Sequence, residues 1–168
     1  TGLNIWHEHI KSFGLNSSFN HDFYIKKRGF IPNSDYYNNL YGENRWGPST
    51  CISLGIGQDA LLMTPIQMAN LATIISNRGY YKTPHIIKKI NHSIDSIDAS
   101  FFEKIYCSID SQYFSSVIYG MQTAVDGKFG TAKKGKLNGF TICGKTGTAQ
   151  NPHGDDHSIF IGFAPKKN

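Results

Sequence analysis

The stretch Gly144-Lys145-Thr146-Gly147-Thr148-Ala149 constrains this chain more than any other. A β-prone run, Phe140-Thr141-Ile142-Cys143, leads into it, and a polar loop from Gln150 to His157 follows. That loop feeds a second β-prone run, Ser158 to Ala164. A lysine, threonine hydroxyls and an unhindered glycine on a strand make a surface able to grip an extended anionic ligand. The rest of the chain has to support that surface.

Most of what precedes it reads as helix. Ile5, Trp6, His9, Ile10 and Phe13 share one helical face, with Asn4 as the expected N-cap and Gly14 as the stop. From Leu15 to Cys51 the periodicity fades, and the segment is expected to be a long aromatic-rich loop. Its Phe19, Phe23, Tyr24, Phe30, Tyr36, Tyr37, Tyr41 and Trp46 are expected to pack on the surface; stacking on glycan is not required to account for them. Ser53 to Gln58 supplies small residues suited to close packing. Thr64, Pro65 and Gln67 spell a capping box, followed by a stripe of Met68, Leu71, Ala72 and Ile75, with Gly79 as the C-terminal glycine. Tyr81 to Ile90 reads as a strand, and Asn91 to Ser100 as a polar excursion. Asp110 is expected to cap a helix over Ser111 to Val125, and Asn138-Gly139 is a turn dipeptide. Helices first and strands late predict an α+β fold, not an alternating parallel sheet.

Composition narrows the function classes. With 168 residues and 39% apolar side chains the chain can bury a core, as one domain or a piece of one. The net charge of +5 comes without any Lys/Arg block, so no nucleic-acid partner is expected. Cys51, Cys107 and Cys143 are unevenly spaced and are expected to be small buried hydrophobes. No signal peptide or membrane-length apolar run is visible. The chain opens on Thr1-Gly2-Leu3 without a Met, and an excised fragment is the expectation.

Two motifs compete over the central stretch. Gly139 to Thr146 fits the phosphate-loop pattern GxxxxGK(S/T) letter for letter. A phosphate loop, however, needs a flexible turn opening a helix, whereas Phe140-Thr141-Ile142-Cys143 favours a strand and Gly147-Thr148-Ala149 cannot start a helix promptly. The alternative is Lys-Thr-Gly on an edge strand, to which an extended peptide adds by main-chain pairing. Lys145 then supplies charge, Thr146 and Thr148 hydroxyls for a carboxylate, and Gly147 room for close approach. K-T-G is the third motif of penicillin-binding proteins, after S-x-x-K and S-D-N.

Cys143-Gly-Lys-Thr-Gly-Thr-Ala-Gln150, with Phe160-Ile-Gly-Phe-Ala-Pro165 one loop later, resembles the transpeptidase domain of class B penicillin-binding proteins. Ser53 to Gln58 with Thr64 to Ala69, Asn77-Arg-Gly79, Gly120-Met121, Gly130-Thr-Ala132, Phe13-Gly-Leu15 and Gly29-Phe-Ile-Pro32 resemble further family segments, so the likeness covers nearly the whole chain. His153 to Phe160 is most similar to the elongation-type, penicillin-binding protein 2 branch, as in Bacteroidetes-like bacteria. Two departures stand out: Asp59 replaces the family's usual glycine, and no S-x-x-K occurs. Ser18-Phe19-Asn20 fits S-x-N but follows the Phe-Gly-Leu landmark instead of preceding it, so it is read as coincidence. His153, Asp155, Asp156 and His157 fit no zinc signature and are expected to form a solvated loop at the rim of the groove.

The resemblance implies a serine β-lactamase/DD-transpeptidase-like fold, an antiparallel sheet flanked by helices, present over residues 1–168 as the C-terminal portion of that domain without S-x-x-K, S-x-N or the final strand and helix. It implies a peptidoglycan DD-transpeptidase working through a serine acyl-enzyme, without cofactor or metal, on D-Ala-D-Ala stem peptides and inhibited by β-lactams. Lys145, Thr146 and Gly147 would be catalytic. Lys145 to Ala149 would bind substrate, and the Thr148 N–H would serve the oxyanion hole. A membrane glycosyltransferase of the elongation machinery is the implied partner, and the parent would be anchored at the periplasmic face of the inner membrane. A division-type transpeptidase or a β-lactam sensor are the near alternatives, and a phosphate-loop nucleotidase the remote one.

Overall fold

The computed structural model describes residues 2–19, 22, 27–90, 97–151 and 153–166. Its elements in chain order are helices α1 (Gly2–Ser12), α2 (Ser34–Tyr41), α3 (Pro48–Gly55) and α4 (Pro65–Ser76), strands β1 (Tyr80–Tyr81) and β2 (Ile105–Tyr106), helix α5 (Phe114–Asp126), and strands β3 (Cys143–Ala149) and β4 (His157–Phe163). Short 3-10 turns sit at Ala99–Phe102, Ser111–Tyr113 and Lys133–Gly135. The fold is α+β, as the order of the sequence patterns predicts.

β3 and β4 form an antiparallel hairpin in the register Cys143↔Phe163 through Ala149↔His157. Alternation puts Cys143, Lys145, Gly147 and Ala149 on one face and Gly144, Thr146 and Thr148 on the other. The Cys143 and Phe163 end of the first face rests on α4 and α5. There Ile74, Phe114, Ile118, Met121 and Cys143 make the main core with Phe19 and Tyr81. Each fully buried side chain of this kind contributes about 1.5–3 kcal/mol. Burial raises the Cys143 thiol pKa, so it packs as a neutral hydrophobe.

α4 forms as its cap dictates. The Thr64 hydroxyl accepts from the Gln67 N–H, and the Gln67 side chain accepts from the Thr64 N–H at 2.9 Å. At its other end Arg78 takes a left-handed φ of 58°, and the Gly79 N–H reaches back to the Ile74 carbonyl at 2.9 Å. The buried positions are Gln67, Asn70, Ala72 and Ile74; Met68, Leu71 and Ile75 of the expected stripe are only half-buried. Neighbouring backbone decides this. Gln67 donates to the Ser17 and Arg28 carbonyls, and Asn70 to that of Phe13, so two polar side chains take core positions. α5 follows a turn capped by Asp110, with Phe114, Ile118, Met121 and Val125 buried, whereas Tyr113 and Val117 are exposed.

Several expectations are corrected. Asn4 is not a cap: α1 begins before it, and its side-chain oxygen accepts the Ser34 N–H at 3.0 Å. The expected loop over 15–51 contains α2 and α3. Asn33 caps α2 and Pro48 opens α3, and Tyr37 and Leu54 join Leu3 in a second core flanked by Trp6, Tyr36 and Trp46. The aromatic side chains described there pack, but Phe19 and Tyr37 do so inside the two cores and not on the surface, Tyr37 lying 5.0 Å from Tyr36 and 5.4 Å from Trp46 between ring centres. Phe23 and Tyr24 lie outside the described residues. Gly55 and Gly57 face open space, so they serve no close packing. The expected strand over 81–90 is confined to Tyr80–Tyr81, because Pro84 has no N–H and the Ile86 and Ile87 N–H groups go to the Asp22 carboxylate. Of the expected excursion, 91–96 lie outside the described residues, and Asp98 caps the turn that follows. Phe140 to Ile142 stay outside β3, Asn138-Gly139 being a turn with no strand immediately before it. Cys107 is half-buried and Cys51 exposed; only Cys143 is buried.

Candidate functional site

The free edge of β3 is the centre of the site. Among the described residues no third strand pairs with the hairpin. Main-chain groups of a strand point alternately to its two sides. The Thr146 carbonyl accepts Lys145 Nζ at 2.6 Å, and the Thr148 carbonyl accepts Gln58 Nε2 at 3.1 Å. Both oxygens therefore belong to the edge away from β4, and the N–H groups of Thr146 and Thr148 point the same way. An extended ligand lying along this edge would meet alternating donors and acceptors.

The side chains divide between the faces. Lys145 is exposed on the face that continues into the core, Gly147 beside it on the same face, and Ala149 half-buried further along. Thr146 lies on the opposite face, half-buried, its hydroxyl 3.1 Å from that of Thr131. That bond joins β3 to Gly130-Thr131-Ala132, a segment fixed to α5 by the Ala132 N–H on the Ala124 carbonyl at 2.9 Å. Thr148 is exposed. A cavity of about 580 Å³ opens on the Thr146 face, between Thr131, Thr146, Ser158 and the Phe160 ring.

Gly144, Lys145 and Thr146 lie inside a seven-residue strand, and Thr146 leads on along it instead of into a helix. The phosphate-loop arrangement is not formed. Ser18 stands in the turn after α1, next to Ser17, whose carbonyl is held by Gln67; Asn20 lies outside the described residues. His153, Asp155, Asp156 and His157 are all exposed. Their loop is organised by its own polar groups, Asp156 accepting the Asn151 N–H and Asn151 the His153 N–H, each at 3.1 Å.

Near the site, Gln58 escaped the sequence reading, whereas Asp59 stood out there only as a departure from the family's glycine. Gln58 ends the segment Ser53 to Gln58, to which the sequence assigns no chemistry, yet its amide links the α3–α4 loop to β3. Asp59, at the family's glycine position, has a left-handed φ of 69° and accepts the N–H of Ala60 at 2.7 Å. Aspartate tolerates that conformation better than most side chains, which accounts for the replacement. Burial raises the Tyr37 phenol above its ordinary range, and the nearby Asp59 carboxylate adds to the shift.

The family model described as "Penicillin binding protein transpeptidase domain" matches residues 1–168. The Peptidoglycan D,D-transpeptidase MrdA of Haemophilus influenzae is 27% identical over 95% of this chain and 27% of its own length. The Peptidoglycan D,D-transpeptidase FtsI of Buchnera aphidicola is 31% identical over 93% of this chain and 25% of its own. The crystal structure of Pseudomonas aeruginosa PBP2 in complex with WCK 5153 superposes with a TM-score of 0.82 at 32% identity, covering 98% of this chain and 37% of that one. The chain thus spans about a quarter of the length of these curated relatives. Its partial α+β architecture is that of the serine β-lactamase-like transpeptidase fold. On the match of the family model to residues 1–168, the chain belongs to the penicillin-binding protein transpeptidase domain family.

Proposed function

We propose that this chain is the Lys-Thr-Gly portion of a peptidoglycan DD-transpeptidase of the elongation type, its nucleophilic serine and lysine base lying outside residues 1–168. The free edge of β3, bearing Lys145, Thr146, Gly147 and Thr148, carries the reading. A stem peptide ending in D-Ala-D-Ala lies along that edge. A serine attacks the penultimate carbonyl, terminal D-Ala leaves, and an amine of a neighbouring stem resolves the acyl-enzyme into a cross-link. Lys145 supplies positive charge and proton traffic, the Thr146 and Thr148 hydroxyls hold the terminal carboxylate, and Ala149 lines the strand end. The outward N–H of Thr148 stabilises the oxyanion, a contribution of about 3 kcal/mol per donor. The parent protein is membrane-anchored, faces the periplasm and works beside a membrane glycosyltransferase. Likeness to the Haemophilus MrdA favours elongation, and likeness to the Buchnera FtsI keeps a division role as the second reading.

Covalent labelling by a fluorescent penicillin tests this. The protein as its genome encodes it takes up the label, Lys145→Ala abolishes or severely slows it, and the 168-residue chain alone takes up none. Unchanged labelling of Lys145→Ala refutes the assignment, and labelling of the isolated chain refutes the external nucleophile.

A further inference from the structure

Thr148 occupies an exposed strand end, after a glycine whose nearest non-neighbour contact for an added Cβ is Ile159 at 3.8 Å. The ladder to β4 holds the neighbouring Gly147 and Ala149, and no partner strand meets Thr148 on its outer edge among the described residues. The contact that reaches it from elsewhere in the fold is the Gln58 amide, from ninety residues away in sequence. Gln58 is itself firmly held. Its N–H bonds the Ser53 carbonyl at 3.0 Å, the Gly57 N–H bonds that of Leu54 at 3.0 Å, and the Ile56 N–H bonds that of Ile52 at 3.2 Å. The loop is thereby clamped onto the last turn of α3. The amide orientation follows from its partner: a carbonyl oxygen only accepts, so the nitrogen end must face Thr148.

We infer that Gln58 is a positioning residue for the β3 edge: its amide holds the Thr148 carbonyl, which faces the same edge as the Thr148 N–H, and so restricts rotation of the Thr148 backbone between the two groups. This rests on the functional reading above. A carbonyl oxygen has two lone pairs, so the bond to Gln58 leaves room for a ligand N–H on the same oxygen. Gln58 touches no reacting atom; it acts through Thr148.

The test uses Gln58→Met and Gln58→Glu in the protein as its genome encodes it, with the acylation rate by a fluorescent penicillin as readout and thermal unfolding as a check on folding. Both variants keep the side-chain length and lose the donor at neutral pH. Acylation is expected to fall roughly tenfold in each, the factor matching loss of one hydrogen bond. Protonated glutamic acid regains a donor, and a bond made by the neutral form raises its pKa. On acidification from about pH 7.5 to about pH 5, the Gln58→Glu rate relative to wild type should therefore recover, while Gln58→Met should not. Wild-type rates in both variants overturn the role, as does the same pH dependence in both, which would mark a merely structural contact. An unlabelled wild type overturns the functional reading and this role together, and so is distinct from either result.

Discussion

Gly144, within β3, and Gly130, in the segment bonded to it, both sit where a methyl group would collide, but they meet different atoms. At Gly144 an added Cβ would come within 2.4 Å of the Phe160 ring tip. Phe160 is about half exposed, at 49%, so its ring can swing outward. At Gly130 the Cβ would come within 2.3 Å of the Ala124 carbonyl oxygen and 2.8 Å of the Ala124 carbonyl carbon. That is backbone in the last turns of α5, and it cannot rotate away. Gly130→Ala should therefore cost more than Gly144→Ala: about 1–3 kcal/mol for the first, as in overpacked cores, and under about 1 kcal/mol for the second. Urea unfolding of the two variants measures the order, and equal losses would contradict it. Gly130→Ala has a second consequence, since displacing the segment moves Thr131 off the Thr146 hydroxyl. The strand motif is thus held through a glycine that carries no chemistry.

Among the elements, α4 was the most legible because its signals are local: Thr64, Pro65 and Gln67 settle its start within a few residues. What the sequence hid is that Gln67 does two jobs at once. Its oxygen completes the cap, while its nitrogen, in a side chain only 1% exposed, donates to Ser17 at 3.2 Å and to Arg28 at 2.6 Å. Gln67→Leu would look favourable at a buried helical position. It is expected instead to destabilise by about 2–4 kcal/mol, because two carbonyls and the Thr64 N–H lose their partner. Gln67→Glu keeps the capping oxygen but places an unpaired charge, so it should cost more still. A denaturant series comparing the two checks both sign and order. α2 and α3 were missed for the converse reason. At eight residues each they have little intrinsic stability, and they form because Tyr37, Trp46 and Leu54 bury together. The Asn33 cap and Pro48 were readable signals, outweighed by a surrounding run of Asn, Gly, Tyr and Ser.

On the scale of the whole molecule, segments distant in sequence are tied by polar contacts, such as His7 Nδ1 on the Pro32 carbonyl and Asn70 on that of Phe13. Ties of this kind leave no periodic trace, so the β3 motif could be read from the sequence while the frame that orients it could not. Asp22 is one such tie, and it titrates. Its carboxylate accepts the Ile86 N–H at 3.0 Å and the Ile87 N–H at 2.6 Å, across more than sixty residues. Desolvation pushes its pKa upward, but the bonds from Ile86 and Ile87 outweigh this and hold it below the ordinary aspartate value of 3.8. A depressed folded-state pKa stabilises the fold above the unfolded value, and that contribution is lost as pH falls through the folded value. Asp22→Asn keeps an acceptor oxygen and removes the charge. The variant should be less stable than wild type near about pH 6, and the gap should shrink by about pH 3 as Asp22 in the wild type is protonated. Some acid dependence should remain, because Asp98 is also held below the ordinary aspartate value by its bonds from Ser100. Urea midpoints of both proteins at the two pH values decide the matter: a gap that stays constant would mean that the Asp22 charge does not hold Ile86 and Ile87 out of the sheet.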